Sequence, residues 1–248
     1  MQTLIVIITA IFGLIIGSFL NVVVLRMNTG RGIGGRSQCF SCNKILEWYE
    51  LIPVVSYIIQ GGKCRKCRSK ISPQYMLVEL ATAILFAGVA LRFDIISHPF
   101  SALLIFLMIA LGVVIATYDV LHMTIPEVPL IGFFGVSIAL GMHGIGFLLV
   151  PLPFLILWLI SRGKWIGFGD VELMACMGML LGVVSGVSAV MLSFWVACVV
   201  VLPWFGIQKL RGKSMNHHIP FGPFLLIGTY LVAIGGLDVL KLISGVIK

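Results

Sequence analysis

The sequence predicts an all-α polytopic membrane protein, with about eight transmembrane helices and a small cytoplasmic zinc-binding loop domain. Three observations carry that expectation. Of the 248 residues, 60% are hydrophobic and only 10% are charged, with a mean hydropathy of +1.13, whereas roughly a quarter of the residues of a soluble domain are charged. The apolar residues fall into runs of about 20, the length a helix needs to cross a bilayer core of roughly 30 Å. After the first run, four cysteines stand as two Cys-x-x-Cys pairs in a segment rich in lysine and arginine.

Taken in order, the first run is Leu4 to Leu25. It carries no charge, and no lysine or arginine precedes Arg26, so it reads as a retained span rather than a signal peptide with a basic start. Further runs at 75–92, 99–118, 126–142, 144–161, 172–188, 189–208 and 223–246 bring the expectation to eight spans. The division between the sixth and seventh falls near Ser185–Ser188. Three domains follow: a first transmembrane helix over 1–26, a four-cysteine loop domain over 27–74, and a transmembrane core of about seven helices over 75–248. Glycines 178, 182 and 186 recur every fourth residue, the spacing of a close-packing face on a membrane helix.

Eight spans put both termini on one side, and the basic residues choose the side. The segment 26–74 holds Arg26, Arg31, Arg36, Lys44, Lys63, Arg65, Lys66, Arg68 and Lys70. Arg162 and Lys164 share its face, as do Lys209, Arg211 and Lys213; the opposite face has only Arg92, Lys241 and Lys248. Lysine and arginine accumulate in cytoplasmic loops, so the cysteine loop is expected in the cytoplasm and both termini outside. The net charge of +8 is thereby explained by topology and calls for no nucleic-acid partner.

Cys39-Phe-Ser-Cys42 is followed, 22 positions after Cys42, by Cys64-Arg-Lys-Cys67. Two residues between cysteines let both sulfurs of a pair turn towards one ion, and two such pairs supply the four thiolates of a tetrahedral zinc site. A reducing compartment disfavours disulfides, and four protein ligands leave no open position, so the metal is expected to be structural. Cys176 and Cys198 lie inside spans and read as buried small apolar residues. His217 and His218 read as solvated loop residues.

A carboxylate held at membrane depth is costly and reads as functional. Asp119 follows the uncharged run Ser101 to Tyr118 at the cytoplasmic end of the third span, and Asp170, within Gly167-Phe168-Gly169-Asp170-Val171-Glu172, opens the sixth from the same side. Two facing carboxylates can divide the labour of a hydrolase, one accepting a proton from water and the other donating to the substrate carbonyl, as in aspartic proteases. The plainer reading makes Asp170 a helix N-cap and Asp119 a helix-end polar residue. Glu79 and Asp238 are also embedded, and stand as reserve candidates for structural pairing or transport.

Five segments together resemble the type IV prepilin peptidases, membrane aspartic proteases of the Gly-x-Gly-Asp type. They are Gly17-Ser18-Phe19-Leu20-Asn21, the paired Cys-x-x-Cys motifs, Asp119 with Ile125-Pro126, Gly167-Phe168-Gly169-Asp170-Val171, and Ile219-Pro220-Phe221-Gly222-Pro223-Phe224. The resemblance implies a multi-pass protein of the bacterial inner membrane. It would cleave the basic leader of prepilins or pseudopilins, of pilus or type II secretion systems, after a glycine at the cytoplasmic face. It implies Asp119 and Asp170 as the catalytic dyad and Cys39, Cys42, Cys64 and Cys67 as zinc ligands. It also implies methylation of the new N-terminal residue with S-adenosylmethionine, at a site no glycine fingerprint marks. Glu127 stands where the family usually has aspartate, and Arg26-Met27-Asn28 replaces a basic-proline ending. Glu47, Glu50 and Glu127 are acidic residues available to a basic leader. The rival readings are a proton- or ion-coupled transporter, which would need no cysteine knuckle, and a zinc-bearing scaffold, which would need no aspartate pair.

Overall fold

A computed structural model describes residues 2–29, 32, 34–210 and 219–246. Arg31, Arg211, Lys213, His217, His218 and Lys248, which enter the charge and histidine readings, lie outside the described residues. The elements are α1 (Gln2–Arg26), a 3-10 turn (Trp48–Glu50), α2 (Val55–Ile59), α3 (Gln74–Arg92), α4 (Pro99–His122), α5 (Glu127–Leu140), α6 (Gly144–Leu149), α7 (Leu152–Ser161), α8 (Phe168–Leu210), α9 (Gly222–Ala233) and α10 (Val239–Val246). Among the described residues the only extended pairings are two isolated bridges in the cysteine loop.

The all-helical expectation therefore stands, with coarser span counting. Five stretches are long and apolar enough to cross a membrane: α1, α3, α4, the α6–α7 pair and α8; α5 and α9 are shorter apolar helices. The departures from eight clean spans have local causes. The run at 144–161 is interrupted at Val150–Pro151, where proline opens α7 because it has no N–H to continue α6. The run at 223–246 breaks between α9 and α10 at a turn containing Gly236, φ 70°. The sixth and seventh runs form one 43-residue element, broken at Gly182 (φ 77°, ψ −177°) rather than near Ser185–Ser188. That conformation is essentially restricted to glycine.

The chain separates into two compact units, residues 1–114 and 115–248. In the first, α1 and α3 lie side by side. The side of α1 that packs is small or polar along most of its length (Thr9, Gly13, Gly17, Asn21), with Leu20 and Val24 near its end, while Ile7, Ile8, Ile11, Ile15 and Phe19 face outward. This is inverted relative to a water-soluble helix, and it is what packing in lipid demands, where close backbone approach replaces the hydrophobic effect. A Cβ on Gly13 would sit 2.7 Å from Ala83 Cα, and one on Gly17 2.8 Å from Glu79 Cα. The hydroxyls of Thr9 and Thr82 are satisfied within their own helices, Thr82 by the Val78 carbonyl at 2.7 Å.

In the second unit α8 is the spine, with α6 and α9 packed along it. Gly178 meets the Gly146 backbone directly, Gly186 faces Val150, and a Cβ on Gly146 would stand 2.9 Å from Gly182 Cα; Gly182 is thus part of the packing face as well as the break in α8. Cys176 is buried, but Cys198 is exposed, because the outer part of α8 turns its residues outward beyond Ser193. Asp238, between α9 and α10, accepts hydrogen bonds from Ser185 and Ser188 of α8, both 2.6 Å, and an ion pair from Lys241, 3.0 Å. It is a satisfied brace joining the C-terminal helix to the spine, and so fits the structural reading rather than a transport path.

Candidate active site and metal centre

The 115–248 unit builds its acidic site from three segments. Helix α4 ends one turn past Asp119, with Met123 in the left-handed region (φ 57°) and its N–H bonded to the Asp119 carbonyl, 2.8 Å. A left-handed residue just beyond a helix stops it, so the chain leaves α4 immediately after presenting Asp119. The next residues, Ile125 and Pro126, lead into α5. Ile125 lies against Gly169, where a Cβ would come within 2.9 Å of the Ile125 Cβ. Glycine at 169 is thus what lets the α4–α5 connection sit on the start of α8.

Helix α8 begins at Phe168, which makes Asp170 its third residue rather than its N-cap. Its carboxylate accepts the backbone N–H of Gly167, the reach-back half of a capping box, and a negative group in a first helical turn is favoured by the helix dipole. Asp170 thus lies in the first turn of α8 without being its N-cap, and that place is compatible with chemistry, since one N–H leaves most of the carboxylate's acceptor capacity unused. Asp119 is buried at 5% exposure, and its Oδ2 accepts the backbone N–H of Gly222 at 3.0 Å. A Cβ on Gly222 would stand 2.9 Å from that oxygen. The Gly222 segment is held by Phe221, whose ring lies 4.9 Å from Phe194 of α8.

The Asp119 carboxylate is close enough to act electrostatically on Asp170. Among the described residues the ion pairs are Lys44–Glu50 and Lys241–Asp238, so neither Asp119 nor Asp170 is neutralised by a cation there. Two buried or half-buried carboxylates within electrostatic reach of each other and without a counter-charge are suited to share one proton. Glu172 and Glu127, both exposed, interact with one another at the same end of the unit. Gly222 and the Gly167 amide are contacts of the two carboxylates that sequence reasoning did not assign, although both lie in segments it singled out.

The cysteine loop folds as two like knuckles. Cys39 N–H bonds to the Lys44 carbonyl and Asn43 N–H to the Cys39 carbonyl; Cys64 N–H bonds to Ser69 and Arg68 N–H to Cys64, all between 2.9 and 3.0 Å. The residue after each second cysteine, Asn43 or Arg68, is left-handed (φ 53° and 60°), which turns each pair of thiols to one side. The ligand atoms of Cys39, Cys42, Cys64 and Cys67 all lie within 4.8 Å of one another. Zinc–sulfur bonds of about 2.3 Å in a tetrahedron require sulfurs about 3.8 Å apart, and Cys39 and Cys67 are 3.8 Å apart. All six cysteines are free. Burial opposes ionisation of Cys39, yet the amides of Cys42 and Ser41 bring it down to about 6; Cys42 receives the Lys44 amide, but burial and the neighbouring thiols push it up to about 11. Four thiols this close cannot all be thiolates without a cation among them, and the donor set fits zinc.

Glu50 is buried and bonded by Lys44, 2.9 Å, and by the Glu47 amide, 3.0 Å. Burial works to raise its carboxyl, but these bonds outweigh burial and hold it below the usual carboxylate range. It ties the first knuckle to the 3-10 turn and is not available to a basic leader, unlike the exposed Glu47 and Glu127. Glu79 of α3 is buried too, its Oε2 accepting the Val54 N–H at 2.7 Å.

Residues 11–93 match the family model described as the bacterial peptidase A24 N-terminal domain. A prepilin leader peptidase/N-methyltransferase of Bacillus subtilis (strain 168) is 33% identical over 236 residues, 91% of this chain and 92% of that protein. Proteins of the same name from Dichelobacter nodosus and Pseudomonas aeruginosa are 30% and 27% identical, each over 92% of this chain and 91% and 89% of their own lengths. No solved structure matches. With a relative this similar along almost its whole length, the chain belongs to the prepilin leader peptidase/N-methyltransferase family.

Proposed function

We infer that this protein is a membrane aspartic endopeptidase that removes the leader of prepilins or pseudopilins and then methylates the exposed N-terminal amine. The observation that carries the peptidase half is the pair Asp119 and Asp170, in electrostatic contact and without a basic partner among the described residues. In this reading one carboxyl is protonated and the other is not. The ionised one takes a proton from water as the oxygen attacks the scissile carbonyl, and the protonated one donates to the carbonyl oxygen; proton return to the leaving nitrogen completes the cleavage. The Gly222 and Gly167 amides orient the two groups and leave them free to exchange a proton.

A prepilin precursor presents an apolar helix to the bilayer and a basic leader to the cytoplasm, so a dyad at the cytoplasmic ends of α4 and α8 suits its scissile bond. In this proposal residues 27–74 face the cytoplasm, as the positive-inside bias requires, both termini lie outside, and residues 75–248 form the protease core. The chain belongs in the bacterial inner membrane as a multi-pass protein, with the bilayer and prepilins as its partners. Zinc held by Cys39, Cys42, Cys64 and Cys67 would supply folding free energy to the loop rather than chemistry. S-adenosylmethionine supplies an electrophilic methyl group when bound, and the N-terminal unit offers it a buried carboxylate, Glu79, and an amide, Gln74 Nε2, that are without a cation and a hydrogen-bond partner, respectively, among the described residues.

The test is leader removal from a prepilin in proteoliposomes. Asp119→Asn and Asp170→Asn are each expected to lower the rate by about 100- to 10,000-fold, the usual contribution of a positioned acid or base, with expression and zinc content retained. Cleavage at the wild-type rate by both variants overturns the dyad.

A further inference from the structure

We propose that the cavity enclosed by the end of α1, the start of α3 and the cysteine loop is the seat of the methyl donor, with Glu79 facing its sulfonium centre. This rests on the methyltransferase half of the function inferred above. The cavity, about 1150 Å³, lies wholly within the first unit and is lined by Ser18, Arg26, Tyr57, Gln74, Tyr75 and Glu79 among others. Binding sites for compact organic ligands run from roughly 300 to 1,000 Å³, so a nucleoside with an amino-acid arm is readily accommodated.

Glu79 is what gives the cavity its chemistry. It is 6% exposed, and its carboxylate is held by the Val54 amide and the Ser18 hydroxyl. The Val54 contact is specific: this β-branched residue has φ 61° and ψ −52°, a conformation rare for its type, and the bond to Glu79 aims it. The carboxylate therefore has a fixed position, yet among the described residues no cation pairs with it. A buried carboxyl is otherwise paired, metal-bound or protonated, and a cation beside it favours the ionised form. A ligand with a fixed positive charge supplies the missing partner.

Polar atoms nearby are likewise unused. Gln74 Nε2 and Asn21 Oδ1 are buried without a hydrogen-bond partner among the described residues; Gln74 lines the cavity, and its amide is a donor of the kind that a purine edge or an amino-acid arm engages. Asn21 Nδ2 bonds to the Tyr75 carbonyl, 3.2 Å, which ties this polar patch to the cavity wall. The segment Gly17-Ser18-Phe19-Leu20-Asn21 thereby acquires a physical role: Gly17 admits α3, Ser18 holds Glu79 and Asn21 holds Tyr75.

The charge of the donor changes in the reaction, and that makes the assignment testable by binding alone. When the methyl carbon bonds to the substrate nitrogen, its bond to sulfur breaks, the electron pair stays on sulfur, and the sulfonium becomes a neutral thioether. A carboxylate at the sulfonium therefore favours S-adenosylmethionine over S-adenosylhomocysteine, which carries the same adenosine and amino-acid arm. Glu79→Gln can still accept the Val54 amide through its carbonyl oxygen, and so removes the charge while keeping the turn.

The experiment measures equilibrium binding of both ligands to the detergent-purified full chain, for wild type, Glu79→Gln and Glu79→Asp, with zinc content as the check on folding. The expected result is a wild-type preference for the sulfonium on the order of tenfold, the scale of one charge interaction in a partly screened site. That preference falls to near unity in Glu79→Gln and persists in Glu79→Asp. Ultraviolet crosslinking of donor labelled in its adenosine is expected to mark peptides from residues 18–79. A preference unchanged in zinc-bearing Glu79→Gln, or crosslinks confined to 115–248, overturns the proposal. A wild type that removes leaders but neither binds nor turns over S-adenosylmethionine overturns the methyltransferase reading itself.

Discussion

Gly222 meets Asp119 so closely that the two cannot both keep their places if a side chain is added. Its N–H donates to Asp119 Oδ2, and a Cβ would sit 2.9 Å from the same oxygen, a separation real Cβ atoms do not tolerate. Gly222→Ala is expected to push the Asp119 carboxylate out of register with Asp170 and to slow leader removal by roughly 100-fold, the cost of misplacing a catalytic group by about 1 Å. Zinc content and donor binding, which depend on the other unit, are expected to hold. A rate within twofold of wild type would mean that the Gly222 amide does not position Asp119. Sequence spacing did mark the aspartates and the four cysteines, because their chemistry needs those residue types. It could not pair Gly222 with Asp119, because that hydrogen bond spans 103 positions and involves only a backbone donor. Glu79 was visible as an embedded acid, but its partners at Val54 and Ser18 come from separate segments brought together by folding.

The helices were legible by apolarity and their interruptions were not. A run of 18 apolar residues reads the same whether it is one helix or two, as at 144–161, and a tract of two spans reads the same whether its break falls at Gly182 or at Ser185–Ser188. The break is set by a torsion, and its cost can be measured. Gly182 stands at φ 77°, ψ −177°, and the nearest atom to an added Cβ is a His143 ring carbon at 3.5 Å, which is ordinary contact. Gly182→Ala is therefore expected to cost backbone strain rather than a clash, about 1–3 kcal/mol, read as a lowered thermal midpoint in detergent. An unchanged midpoint would show that the bend in α8 is imposed by its neighbours α6 and α9 and needs no glycine. Gly178→Ala differs in mechanism, since its Cβ would enter the Gly146 backbone and the helices themselves would have to separate.

At the scale of the molecule, the two halves of the chemistry rest on different foundations. The aspartates and the groups that orient them belong to residues 115–248, where long helices carry their own backbone hydrogen bonds through the bilayer. The cysteine loop has no such scaffold. Among the described residues between α1 and α3 the regular structure amounts to one 3-10 turn, one five-residue helix and two bridges, and Trp48, Ile58 and Ile59 are exposed in a way that suits the bilayer surface. A loop this small gains little from burial, whereas structural zinc contributes apparent binding free energies of about 10–16 kcal/mol. Removing the metal should therefore unfold the loop while leaving the spans intact. Arg36, Lys44, Lys63, Arg65, Lys66, Arg68 and Lys70 then become trypsin sites, and the orientation proposed from the charge bias has all of them on the cytoplasmic face. In inverted inner-membrane vesicles, chelator plus trypsin is expected to cut within residues 36–70, and trypsin alone to cut there far more slowly. In right-side-out vesicles neither treatment should reach the loop. Cutting only in right-side-out vesicles would reverse the proposed orientation, and equal cutting with and without chelator would mean that the loop folds without metal, despite four sulfurs spaced to hold one.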